Sequence, residues 1–212
     1  MFKRSIMDMD FLFDEIPNKY ELFDYDTFFE NEQKCILVGT SCKTGKALYF
    51  DAKKDKSKQF VLDTCRASSS LPFVTPIVDV RGEPVLDGGI ADSIPIKKAI
   101  ADGNKKNIIV LTRGREYRKK PSNTAFISKK VYKNFPKLQE TISSRYRVYN
   151  ETLDYIESLE EQGEVFVIRP RRKVEIDRME RNKSKLADFY KTGYEDAHDM
   201  WADLSDWMSK IK

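Results

Sequence analysis

The stretch at residues 85–95, VLDGGIADSIP, constrains the fold of this chain more than any other part of the sequence. Its apolar start predicts a strand that carries Asp87 to the double glycine Gly88-Gly89. Glycine adopts backbone angles closed to other residues and leaves room for a ligand beside the carboxylate. Pro95 favours the first turn of a following helix. The stretch therefore predicts one acid at a sheet edge, although Asp-Gly-Gly is also a common turn sequence.

A second block lies just before this stretch. Residues 60–68 predict a helix, and residues 65–76 contain its serine-rich end and a proline loop. Residues 77–84 predict a hairpin that leads into the Asp87 strand. Two blocks in this order resemble the second half of a patatin-like phospholipase domain, closest to the bacterial members of that family. The resemblance runs on through residues 107–113 and is expected to cover nearly all of the chain.

The resemblance implies a lipid acyl hydrolase with a Ser-Asp dyad, acting on a lipid or acyl ester without metal or cofactor. In that family the serine sits on a G-x-S-x-G elbow, and a glycine-rich loop supplies amides for the oxyanion. Asp87 matches the aspartate of the family's D-G-G or D-G-A motif, with Gly88 and Gly89 as its glycines. The implied fold is α/β, in three layers, with a mostly parallel central sheet flanked by helices.

This sequence departs from the family by lacking the nucleophile motif. It contains no G-x-S-x-G, and the nearest approach, at residues 39–43, lacks the second glycine. The family carries the elbow and the glycine-rich loop before the region at which this chain begins. We therefore expect residues 1–212 to be the C-terminal portion of a single patatin-like domain, without its N-terminal strands and elbow. Residues 1–120 would be the acid-bearing core half, and residues 121–212 a helical extension with one returning strand at 164–169. Alone, such a chain would be inactive.

Two substitutes for the missing catalytic groups are disfavoured by their setting. The serines at residues 68–70 border the expected cleft, but no glycine-flanked elbow exposes them. His198 is the only histidine of the chain and lies among acids in a predicted helical region. Because the resembled family dispenses with histidine, a surface or capping role is favoured for His198.

Local patterns predict the remaining elements. Strands are expected at residues 34–40, 46–50 and 108–112, and the apolar centre of the first suits a strand covered on both faces. A short helix from Phe11 is expected to end at Pro17. Helical periodicity is expected across residues 124–162, with a break near Pro136, and again across residues 183–212.

Composition limits the compartment and the partners. The net charge of +4 permits attraction to an anionic membrane surface, but it is too small to indicate nucleic acid. Three cysteines without C-x-x-C spacing disfavour both a disulfide framework and a zinc site. We expect a reducing, cytoplasmic compartment with peripheral membrane contact as an option, since the first ten residues lack the apolar run of a signal peptide.

Two functions remain open at this point. The first is the patatin-type acyl hydrolase, represented here by its acid-bearing half. The alternative is a non-catalytic interaction module on the same scaffold. Either way, the absence of the family's first strands predicts an open sheet edge, and so either a missing N-terminal segment or self-association.

Overall fold

A computed structural model of the protein describes residues 8–176 and 180–210. The chain divides into two compact units, one of Met1–Pro95 with Lys120–Tyr149 and the other of Ile96–Lys119 with Asn150–Lys212. Parts of the predicted core half and helical extension (residues 1–7, 177–179, 211 and 212) lie outside the described residues.

The first unit is built around a four-stranded sheet with the strand order β2-β1-β4-β3. The strands are β1 (Ile36–Ser41), β2 (Ala47–Asp51), β3 (Val78–Val80) and β4 (Glu83–Asp87). All of its pairings are antiparallel, so the prediction of a mostly parallel central sheet is wrong for this sheet. Short turns join β1 to β2 and β3 to β4, and hairpin connections can only produce antiparallel neighbours.

Two helices, α2 (Lys58–Ser68) and the N-terminal part of α5 (Pro136–Glu161), lie on opposite faces of this sheet. The first unit also contains α1 (Tyr25–Glu30), α4 (Ala125–Val131) and a π-helix at Phe11–Tyr20. Val85 packs in a cluster with Phe60 of α2, whereas its neighbour Leu86 packs with Leu138 and Ile142 of α5. Successive side chains of a strand point to opposite faces, so this unit has a helix–sheet–helix arrangement.

The second unit contains a parallel pair of strands, β5 (Asn107–Val110) and β6 (Val165–Ile168). Its helices are α3 (Ile96–Ala101), the C-terminal part of α5, α6 (Lys183–Asp199) and α7 (Trp201–Ser209). The indole nitrogen of Trp207 donates to the carbonyl oxygen of Gly163 at 3.0 Å, and its ring packs against Phe166 of β6. Among the helices in the described part of the chain, none has the length and apolarity to cross a membrane.

Two local predictions fail. The strand β1 is not covered on both faces, because Ile36 is 36% exposed and Leu37 and Val38 are half-buried. The first helix does not end at Pro17 but continues as a π-helix over Phe11–Tyr20. The amide of Glu21 closes that helix on the carbonyl oxygen of Ile16, five residues back, as the wider π turn requires.

Candidate active site

The backbone of Asp87 is fixed from both sides at the end of β4. Asp87 pairs with Gly39 of β1, and the Thr40 hydroxyl donates to the Asp87 carbonyl oxygen at 2.8 Å. The Asp87 amide donates to the carbonyl oxygen of Ser70, in the loop after α2, also at 2.8 Å. The pairing with β1 and the contact with the loop after α2 therefore fix the position of the Asp87 backbone, from which the carboxylate extends.

The carboxylate itself is half-buried and held on one oxygen only. The amide of Gly89 donates to Asp87 Oδ1 at 2.6 Å, so the side chain caps the short 3-10 turn Gly88–Ile90. Within residues 8–176 and 180–210, no donor bonds the second oxygen, Oδ2. That oxygen is available to accept a proton from a group brought to the turn.

Gly88 leaves no space for a side chain, and Gly89 lies against the ends of three side chains. A Cβ at Gly88 would lie 2.3 Å from the carbonyl oxygen of Val38, because the turn runs against the backbone of β1. A Cβ at Gly89 would lie 2.9 Å from Asp87 Oδ1, 3.3 Å from Arg145 Nη2 and 3.5 Å from Ser93 Oγ. The bare side of Gly89 thus faces a carboxylate, a guanidinium and a hydroxyl.

Arg145 and Ser93 hold the carbonyl group of Gly89. Arg145, from α5, donates through Nε to the Gly89 oxygen at 2.5 Å, and the Ser93 hydroxyl donates to the same oxygen at 2.7 Å. The role of Arg145 could not be predicted from the sequence, because the contact spans 56 positions and no local motif marks an arginine in a long helix. These two donors fix the peptide that follows the double glycine.

A second acid close in sequence is already engaged. Asp92 accepts a hydrogen bond at 2.6 Å from the hydroxyl of Tyr49 on β2. The two acids differ in what they hold: Asp87 Oδ1 accepts from a backbone amide of its own turn, whereas Asp92 Oδ2 accepts from a side chain of β2.

The serines and the histidine weighed as substitute catalytic groups occupy structural or surface positions. Ser41, in the near-match to an elbow, is 1% exposed and donates to Glu83 Oε1 at 2.5 Å. Ser70 is fully buried and donates to the carbonyl oxygen of Arg66 at 2.8 Å. His198 is exposed on α6 and stacks on Tyr194, with 6.5 Å between the ring centroids. Ser41 and Ser70 are thus committed to structural hydrogen bonds, and His198 lies on the surface of α6.

The described residues also lack a metal-binding cluster. Across residues 8–176 and 180–210, no three or more His, Cys, Asp or Glu side chains converge to hold a metal ion.

Comparison with known proteins places the Asp87 turn inside a recognised family region. Residues 7–100 match the model of the patatin-like phospholipase family, and this match supports a patatin-like protein. Residues 135–209 match a separate model, described as a domain of unknown function (DUF6363). The family match is thus narrower than the resemblance expected over nearly the whole chain, and Arg145 falls in the second matched region.

One curated relative is similar over a short stretch. The uncharacterized protein YjjU of Escherichia coli (strain K12) is 44% identical over 57 residues, which is 26% of this chain. The matched stretch spans 16% of the length of that relative.

Proposed function

We propose that this chain is the acid-bearing portion of a patatin-like serine lipid acyl hydrolase, a carboxylic ester hydrolase that uses a Ser-Asp dyad. The patatin-like region at residues 7–100 supports the class. The observation that carries the proposal is the geometry of Asp87, whose backbone is fixed by β1 and whose carboxylate leaves Oδ2 unbonded among the described residues. The motif residues are Asp87, Gly88 and Gly89, with Asp87 as the catalytic acid-base group.

The serine must come from a polypeptide segment outside the 212 residues, because no G-x-S-x-G is present among them. We propose that this segment precedes the chain, which is then the C-terminal portion of the domain. The same segment would bring the glycine-rich loop whose amides hold the oxyanion. The chain by itself is therefore inactive.

Acyl transfer at this site follows from the position of Asp87. Oδ2 accepts the proton of the incoming serine hydroxyl, and the serine oxygen attacks the ester carbonyl carbon. Collapse of the tetrahedral intermediate breaks the ester C–O bond, and the proton passes from Asp87 to the leaving alcohol. Water then attacks the acyl-serine, Asp87 again accepts and returns a proton, and a fatty acid leaves. Arg145 and Ser93 keep the Gly89 peptide in place throughout.

The proposed setting is cytoplasmic, with a lipid or acyl ester as substrate and nucleic acid excluded as a partner. Cys35, Cys42 and Cys65 are all free thiols, which suits a reducing compartment. The net charge of +4 allows peripheral contact with an anionic membrane surface.

A fusion protein tests the proposal. A G-x-S-x-G segment from a patatin-like phospholipase is placed before Met1, and hydrolysis of a short-chain ester is compared with that of the 212-residue chain alone. We expect turnover only in the fusion, and a loss of about 100-fold or more in kcat on Asp87→Asn, since a general base contributes at least that factor.

Asp79→Asn is the matched control, because it makes the same Asp-to-Asn change at an exposed position of β3. There the Asp79 carboxylate accepts a hydrogen bond from the Gly82 amide at 2.8 Å. Equal turnover in the Asp87→Asn and Asp79→Asn fusions would refute the role of Asp87. A folded, monodisperse fusion without turnover would favour the alternative of a non-catalytic interaction module.

A further inference from the structure

A groove of about 460 Å³ lies in the second unit, between the parallel strands and α6. This volume falls within the roughly 300–1,000 Å³ range of small-molecule sites. The lining is mainly apolar and comes from the C-terminal ends of β5 and β6 and from one face of α6: Val110, Leu111, Ile168, Leu186, Phe189 and Tyr190.

The charged groups of this groove each have a partner, an opposite charge for Arg169 and a backbone amide for Asp196. Arg169 forms an ion pair with Glu160, and Asp196, which is 8% exposed, accepts a hydrogen bond from the Arg171 amide at 3.2 Å. The apolar walls, by contrast, are open to solvent, with Val110 exposed by 70% and Tyr190 by 76%. A ligand here would therefore have to be apolar, and it would cover side chains that water now covers.

A cationic depression adjoins the groove. It has a volume of about 260 Å³ and shares Pro170, Phe189 and Thr192 with the groove. Its wall carries three cations, Arg172, Lys173 and Lys185, against the two acids Glu175 and Asp188.

Among the described residues, Arg172 is the cation of this wall without an ion pair. Lys173 lies 3.9 Å from Glu175 and Lys185 lies 3.8 Å from Glu180, whereas the described residues include no ion-pair partner for Arg172. The wall is held in shape by Arg113, which donates to the carbonyl oxygens of Val174 and Ile176, each at 3.2 Å.

An apolar groove that opens beside an available cation fits an amphiphile with one alkyl chain and an anionic head. We propose that the second unit binds one fatty acid, with its alkyl chain in the groove and its carboxylate at Arg172. A membrane surface fits less well, because residues 183–210 carry six acids against four lysines. The site shares no residue with the Asp87 turn, so it does not depend on the proposed hydrolase activity.

Gly193 offers a way to close the groove without disturbing the fold. It lines the groove within α6, and an added Cβ would meet no heavy atom within 4 Å. Gly193→Leu therefore fills space that a ligand would use, and it raises Tm because glycine is a poor residue in a helix interior. Gly193→Ala raises Tm similarly but adds little bulk, and Ala187→Leu adds the same side chain at an exposed position that does not line the groove.

The test is calorimetric titration of the 212-residue chain with dodecanoate and dodecanol, both below the concentration at which they aggregate. We expect saturable one-to-one binding of dodecanoate. Gly193→Leu weakens dodecanoate binding by about tenfold or more, because each methylene excluded from the groove loses its burial. The Gly193→Ala and Ala187→Leu variants bind dodecanoate as tightly as the parent chain does. Arg172→Gln weakens dodecanoate binding about two- to fivefold, as expected of an exposed ion pair, and leaves dodecanol unchanged.

Three outcomes would overturn the proposal. One is the absence of saturable binding, or binding that Gly193→Leu leaves intact. Another is binding to anionic phospholipid vesicles alone, which would make the face a membrane contact. The third is self-association of the parent chain in sedimentation that Gly193→Leu abolishes, which would make a second copy of the chain the occupant.

Discussion

Replacing Gly88 with alanine tests the close approach that positions the Asp87 turn. The new Cβ would lie 2.3 Å from the carbonyl oxygen and 2.5 Å from the carbonyl carbon of Val38. Val38 pairs with Tyr49 in the middle of the β1–β2 ladder, so β1 cannot move away without losing sheet hydrogen bonds. Overpacking usually costs 1–3 kcal/mol, and a clash with paired backbone belongs at the upper end, about 3 kcal/mol. For a chain of this length the expected drop in Tm is roughly 6–12 °C.

The assay is thermal and urea-induced unfolding of the purified variant, followed by circular dichroism. Gly114→Ala is the control, because a Cβ at Gly114 meets only the Pro170 oxygen at 3.4 Å, an ordinary contact. We expect the control to stay within about 0.5 kcal/mol of the parent. If Gly88→Ala were as stable as Gly114→Ala, the turn would not lie against β1, and the position assigned to Asp87 would be wrong.

Two further predictions concern groups near the first unit's sheet. Burial raises the pKa of the Cys42 thiol to about 12. Cys42 should therefore react with a thiol-specific disulfide reagent only after denaturation, whereas half-buried Cys35 should react in the native protein. Equal reaction rates of the two thiols in the native protein would contradict this prediction. The hydrogen bond that the Ser41 hydroxyl donates to the Glu83 carboxylate lowers the pKa of Glu83 from its ordinary value of 4.5. The stability that this carboxylate contributes is therefore present above pH 4.5, and it is lost as the pH falls through the lowered pKa. Glu83→Gln should therefore lower stability at neutral pH and flatten its decline below pH 4.5 in urea titrations; an unchanged pH profile would show that Glu83 contributes none of that decline.

Local sequence signals predicted the elements around the Asp87 turn. The strands expected at residues 34–40 and 46–50 correspond to Ile36–Ser41 and Ala47–Asp51, because two apolar runs flank a turn that contains Gly45 at a φ of +68°. The helix expected at residues 60–68 lies at Lys58–Ser68, where the Ser57 hydroxyl caps its first turn. These signals involve residues that are near one another in the sequence, so a single sequence contains them.

Pairing and long-range contacts could not be predicted in the same way. The strand order depends on which edges meet, and the assumption of a parallel sheet came from the resemblance rather than from the hairpin turns, which indicated antiparallel pairing. The contact of Arg145 with Gly89 joins the patatin-like region to the region of the second family model, across 56 positions. Neither residue type nor periodicity marks such a contact in advance.

The central claim is that Asp87 activates a serine supplied by another segment. The most direct measurement is the rate at which a fluorophosphonate labels that serine in the G-x-S-x-G fusion, because labelling reports nucleophile activation without requiring substrate turnover. We expect Asp87→Asn to slow this labelling by about 100-fold or more, and Asp79→Asn to leave it unchanged. Equally fast labelling in both variants would show that Asp87 does not activate the serine.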